Sequence, residues 1–289
     1  MRLARLLPKP FRPASMRDEG PVIPVVRLQG LIAAGGSPLR PTLSLAAVAP
    51  LLERAFGTKG PAVALAINSP GGSPVQSRLI FRRVRDLAAE KEKQVFAFCE
   101  DVAASGGYMI ACAGDVIVAD PSSVVGSIGV VSQGFGFVEA IEKLGVERRV
   151  VTSGENKATL DPFLPVREED VDHLQSLQTD VHRVFIDLVK EARGARLGED
   201  AELFTGRFWA GERARELGLV DEIGDLRSVL RARYGEKVRL KPIAPQRGLF
   251  GRRTGGFGVA EVADRIGGAV VSEGLAALAE REAFSRFGR

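Results

Sequence analysis

At 289 residues, 45% hydrophobic and 26% charged, the chain is long enough for one large core or two modest ones and too apolar to be disordered throughout. Forty basic against 36 acidic residues leave a formal charge of +4, too small an imbalance at this length to indicate a nucleic-acid partner. Cys99 and Cys112 sit inside apolar runs with no histidine nearby, which excludes a metal-ligand spacing and indicates buried, reduced thiols.

Residues 1–20 carry Arg2, Arg5, Lys9, Arg12 and Arg17 among three prolines and read as an irregular basic arm, solvated or touching anionic lipid. The Leu3 to Leu7 patch is broken by Arg5 and stopped by Pro8, too short for a signal-peptide core. No apolar run reaches the roughly 18 residues that a membrane-crossing helix needs. The expected location is therefore cytoplasmic, with peripheral contact at the inner membrane as the alternative.

Order begins with a strand at Val22 to Leu28, whose Pro24 predicts an edge or a bulge. A helix follows from about Ser44 to Phe56, with Pro50 expected to kink or restart it. Ala62 to Ile67 is the next buried strand. A helix from Pro74 to about Lys93 should turn Leu79, Val84 and Leu87 inward. Gln94 to Cys99 and Asp115 to Ala119 read as further strands, and so does Val124 to Val131, where glycines at 126 and 129 signal a bend or the close approach of another backbone. Gly134 to Leu144 reads as a helix, Glu147 to Thr152 as a strand, and Val166 to about Ala192 as a long amphipathic helix burying Val171, Leu174, Leu177, Val181, Phe185 and Leu188. The pattern predicts an α/β domain over residues 21–235, a basic Gly-rich linker over 236–258 and a helical tail over 259–289.

Three loops draw attention. Asn68-Ser69-Pro70-Gly71-Gly72-Ser73 follows a strand at the end where α/β folds bind ligands, and its two glycines permit close backbone approach; a plain tight turn capped by Ser73 is the bland alternative. Ala103-Ala104-Ser105-Gly106-Gly107-Tyr108 lies between a buried strand and an apolar helix, the logic of a nucleophile elbow, although Ser105 is equally suited to capping that helix. Ser153-Gly154-Glu155-Asn156-Lys157 is a polar turn whose lysine, taken alone, is a solvent-exposed residue. The only histidines, His173 and His182, fall in a charged helical segment, and each reads as a surface or packing residue rather than a catalyst. A Ser-His-Asp triad would have to recruit one of them.

Together with Val125-Gly126-Ser127-Ile128-Gly129-Val130, these three loops span residues 68–157 and resemble, in order and spacing, the signal peptide peptidase A family of serine peptidases. The similarity covers roughly residues 22–232, including Phe204-Thr205-Gly206-Arg207 and Ala214 to Leu219. It implies an α/β fold of the Clp/crotonase-like ββα spiral type, with a single catalytic domain and no metal or other cofactor. It also implies a Ser/Lys dyad: Ser105 as nucleophile, Lys157 as general base 52 residues downstream, Ser127 hydrogen-bonding the lysine, and an oxyanion hole from the N–H groups of Gly71 or Gly72 and of Gly106. A lysine acts as a base near neutral pH only when desolvated, so a loop lysine in this role has to be buried on assembly. Shorter members of the family complete the site across a ring-like oligomer, and the implied partners are a peptide substrate, small and hydrophobic or signal-peptide-like, and further copies of this chain in a tetramer to octamer. The rivals are a crotonase-fold enzyme acting on acyl-CoA thioesters and an inactive scaffold; the Ser105, Ser127 and Lys157 set counts against both.

Overall fold

The computed structural model describes residues 20–35, 42–245 and 281–288. Its centre is built from three parallel strands, β1 (Val22–Gln29), β2 (Ala62–Ser69) and β3 (Gln94–Ala104), with Val25 opposite Ala64 and Ala64 opposite Phe96. Both faces of these strands are covered, which is why they read as continuous apolar runs rather than as alternating ones. The connections are helical: α1 (Leu45–Gly57) leads from β1 to β2 and α2 (Pro74–Lys91) from β2 to β3. The Ser44 and Ser73 side chains cap them, accepting from the N–H groups of Ala47 and Gln76.

β3 is the strand at which the sheet forks. Its Phe96 to Cys99 stretch pairs with β4 (Val116–Ala119), and its last residues, Val102 to Ala104, pair with β5 (Val124–Gly126). β7 (Glu222–Ile223) extends the first branch, and β6 (Phe208–Ala210), the one antiparallel strand among the described residues, extends the second. β8 (Arg239–Ile243) lies along β1 at the far edge, although its residues fall in the interval read as linker. The eight-stranded mixed sheet with its helical connections is the α/β, ββα organisation expected. Its fork leaves the carboxyl end of β3 between the end of β2 and β5.

Successive β3 residues face opposite layers, as strand geometry requires. Val95, Ala97, Cys99 and Ala103 join the main core with α1, α2, α3 (Gly106–Ala111) and the end of α5 (Glu168–Arg193). Phe96 and Phe98 pack on the other face against Val229 and Leu230 of α7 (Leu226–Tyr234). Two short helices, α4 (Val138–Lys143) and α6 (Gly211–Glu216), complete the secondary structure named here.

Several expectations are corrected. β1 is an interior strand, but its pairing with β2 starts only at Val25, so Pro24 faces a partner on β8 alone and its missing N–H falls where no second ladder exists. α1 runs unbroken through Pro50. On α2 it is Ile80, with Ser77, Val84 and Leu87, that faces the core, while Leu79 is exposed. β5 stops at Gly126, and residues 147–152 form no strand. On α5 the buried apolar residues, Phe185, Leu188 and Val189, all lie in the C-terminal half, with Arg193; Leu177 is exposed, and Val171 and Leu174 are partly so. The tail expected as a helix lies outside the described residues except for a helical turn at 281–285.

Between Ile128 and Asp170 no residue is buried. This arm is held by local contacts: the Phe137 N–H donates to the Pro162 carbonyl, Phe137 stacks on Phe163, and Arg148 binds Asp161 through two nitrogens. Ten of the fifteen exposed large apolar side chains among the described residues lie on it, including Phe135, Leu144 and Val151. A stretch of this length that buries none of its own side chains does not offset its ordering entropy by itself.

Candidate active site

Ser105 stands where β3 ends and α3 begins. Its N–H donates to the Gly126 carbonyl on β5 at 2.8 Å, and its own carbonyl accepts the first bond of α3, from Met109 N–H at 3.0 Å. By position it is the helix N-cap, yet its side chain makes no capping hydrogen bond. Its backbone sits at φ +53° and ψ −123°, a conformation that costs a non-glycine residue about 1–3 kcal/mol and persists only where the surroundings impose it. The surroundings do so here. A Cβ on Gly71 would fall 2.8 Å from the Ser105 Cβ and 2.7 Å from the Gly106 nitrogen, so the two loops meet at a separation only glycine permits.

The 71–72 loop is fixed by Ile32, whose N–H donates to the Gly71 carbonyl and whose carbonyl accepts from Ser73 N–H. In such a parallel bridge the bonding groups belong to the residues on either side of Gly72, so the Gly72 N–H points to the opposite side. The Gly71 N–H is already engaged by Ser69 Oγ at 3.2 Å. Gly106 is the first residue of α3, where a helix leaves N–H groups without intrahelical partners.

These residues open onto a cavity of about 660 Å³. Gly71, Gly72, Ser105, Gly106 and Ser127 all line it, so five of the six site residues expected from the sequence come together. Ser127 is buried, at φ +54°, with its N–H on the Arg207 carbonyl at 2.7 Å. Neither the Ser105 nor the Ser127 hydroxyl has a hydrogen-bond partner among the described residues. Leu31, Met109, Val181, Phe185, Phe204 and Phe287 give the walls their apolar part, His182, Thr205 and Arg286 add polar groups, and among the described residues no carboxylate lines the cavity.

Lys157 is not brought to this group. It lies exposed on the arm, absent from the cavity wall, and its ammonium has no ion-pair partner among the described residues. Four lining residues have no local signal in the sequence: His182 on α5, and Ala283, Arg286 and Phe287 from the C-terminal segment. Phe287 packs on Val102 and Ala104 and meets Phe208 edge to face at 5.0 Å between ring centres. His173, by contrast, is exposed.

Behind α3 lies a buried polar cluster. Arg193 is 1% exposed; it donates to both Asp221 oxygens at 2.8 and 2.9 Å and to the Gly218 carbonyl at 2.8 Å. Burial pushes the Asp221 carboxyl up, but the Arg193 hydrogen bonds and the Ile117 N–H outweigh it and hold the group below its ordinary value. Tyr108 donates from its hydroxyl to the Leu219 carbonyl at 2.7 Å. Burial pushes the Cys99 and Cys112 thiols up to about 12, so neither is a nucleophile near neutral pH.

The profile of Peptidase family S49 matches residues 88–241, and the chain belongs to that family. It is 33% identical to the putative protease slr0021 of Synechocystis over 84% of this chain and 86% of that protein, and 31% identical to the chloroplastic serine protease SPPA of Arabidopsis thaliana over 71% of this chain and 31% of that one. It is also 56% identical to a Brucella abortus protein named Na(+)/H(+) antiporter NhaA over 99% of this chain, of which it spans only 39%. Among the described residues no helix is long and apolar enough to cross a membrane.

Proposed function

We propose that the chain is a serine endopeptidase working through a Ser105/Lys157 dyad. The observation that carries this is Ser105 itself, held in a strained backbone conformation at a strand-to-helix turn, with a hydroxyl that caps nothing and opens into a cavity. Ser105 Oγ attacks the scissile carbonyl carbon while its proton passes to the neutral Lys157 amine, and the resulting ammonium returns that proton to the leaving amine. Water then attacks the acyl-serine ester by the same route, releasing the acid and restoring Oγ–H. The oxyanion is received by the N–H groups of Gly106 and Gly72, since that of Gly71 is held by Ser69. Ser127 orients the lysine. The apolar wall suits small hydrophobic or signal-peptide-like sequences, bound as an extended strand along residues 129–131. Among the described residues no carboxylate lines the cavity, and this supports a peptidase over acyl-CoA chemistry. The antiporter activity in the name of the Brucella relative is not carried over, because this chain spans a minor part of that protein.

In this reading Lys157 reaches Ser105 from a second copy of the chain. The arm that carries it buries no side chain of its own and displays most of the exposed large apolar residues, as a surface covered on assembly would. The assembly is a closed ring of four to eight copies. Labelling with a small fluorophosphonate tests the dyad: wild type is labelled, Ser105→Ala is not, and Lys157→Ala loses at least about 10²-fold in rate, the scale of a general base. Co-assembled Ser105→Ala and Lys157→Ala chains regain peptide turnover, because each supplies what the other lacks. Persisting label in Ser105→Ala refutes the nucleophile, and a mixture that stays inactive refutes the shared site.

A further inference from the structure

α5 reaches into the cleft with one hydrogen-bonding side chain. His182 lines the same cavity as Ser105 and Ser127, between the apolar contributions of Val181 and Phe185, and its Nε2 lies 3.1 Å from the Ile128 carbonyl oxygen. A carbonyl only accepts, so Nε2 carries the hydrogen in this pair, an assignment inferred from the partner.

The backbone that His182 holds is short and otherwise accounted for. The Gly126 carbonyl accepts from Ser105 N–H, the Ser127 N–H donates to Arg207, and the Gly129 N–H donates back to the Ser127 carbonyl at 3.0 Å, closing a three-residue turn on Ile128. The Ile128 side chain is buried in the main core. Its carbonyl is held by His182, which ties the turn to α5. Beyond the turn, Val130 and Val131 line the cavity and make no backbone hydrogen bond among the described residues, which leaves their edge open to an extended peptide.

We propose that His182 is a positioning residue: by holding the Ile128 carbonyl it fixes the 129–131 edge as the strand along which an extended peptide is bound beside Ser105. The same stretch of backbone is then tied to Ser105 at one end and to α5 at the other. The inference rests on Ser105 as the nucleophile. It gives His182 no part in proton transfer, since its Nε2 is committed to the carbonyl.

Side-chain geometry supplies the test. Glutamine places an amide nitrogen where imidazole has Nε2, whereas asparagine reproduces only the nearer Nδ1 position and falls short of Ile128. For an extended peptide, His182→Ala and His182→Asn raise KM about tenfold, the scale of one positioned hydrogen bond, with kcat within about twofold of wild type; His182→Gln restores KM. Labelling of Ser105 by a small fluorophosphonate, which does not occupy the 129–131 edge, stays within about twofold in all three. An unchanged KM in the Asn variant overturns the proposal. So does a Gln variant no better than Asn, and labelling lost in Ala, Asn and Gln alike would make His182 a base instead. Should His182→Ala fail to fold, the Gln and Asn pair carries the comparison alone. Wild-type protein that Ser105-directed reagents leave unlabelled would fail the dyad, which separates that outcome from these.

Discussion

Asp221 shows how much one carboxylate carries behind the site. It neutralises Arg193 in the core, and its Oδ2 also accepts from Ile117 N–H, joining α5 to β4. Asp221→Asn leaves a buried guanidinium without its countercharge, and the expected loss is about 3–5 kcal/mol at pH 7, read by denaturant unfolding. The carboxyl is held below its ordinary value of 3.8, so its contribution is present above the unfolded-state value and is lost as pH falls through the lower folded-state one. Wild type therefore loses stability in acid below about pH 4, and the Asn variant loses less of it over the same range. At this scale the sequence was legible for Ser105 and Ser127 only through the loops around them. Its local pattern suited a cap as well as a nucleophile, and only the three-dimensional turn shows that the hydroxyl caps nothing. His182 had no local signal, because what matters about it is a carbonyl 54 positions away.

Among elements, the junction of β2, β3 and α3 carries the site, and it works by close backbone approach. A Cβ on Gly107 would lie 2.5 Å from the Ser69 carbonyl oxygen, with backbone rather than a flexible side chain in the way. Gly107→Ala must therefore move α3 from the end of β2, which shifts Gly106 relative to Gly72. The expected cost is about 1–3 kcal/mol, seen as a lower Tm, together with slower fluorophosphonate labelling of Ser105. The apolar runs that became β1, β2 and β3 were readable because burial on both faces leaves a continuous signal. The segment at 147–152 has only Val150 and Val151 as apolar residues and forms no strand, since a strand needs a neighbour and none of the described strands pairs with it. The first half of α5 is helical as its periodicity requires, but Leu177 stays exposed because none of the described residues covers it.

For the whole molecule, the same unpaired surfaces bear on assembly. A site completed between copies loses its base when the copies separate, so specific activity per chain falls on dilution below the assembly threshold. Analytical ultracentrifugation beside turnover measurements checks this, and a demonstrated monomer with undiminished specific activity would contradict the shared site. The sequence by itself determined the α/β class, the order of the main strands and helices, and the loops that supply Gly71, Gly72, Ser105, Gly106 and Ser127. These are local matters: apolar runs, glycine pairs and turn residues act through their immediate neighbours along the chain. Tertiary structure alone decided that the sheet forks at β3, that His182 and Phe287 wall the cavity, and that Lys157 stands outside it. Each depends on which distant segment fills the space beside a given backbone, and that is settled by packing across the fold rather than by pattern along it.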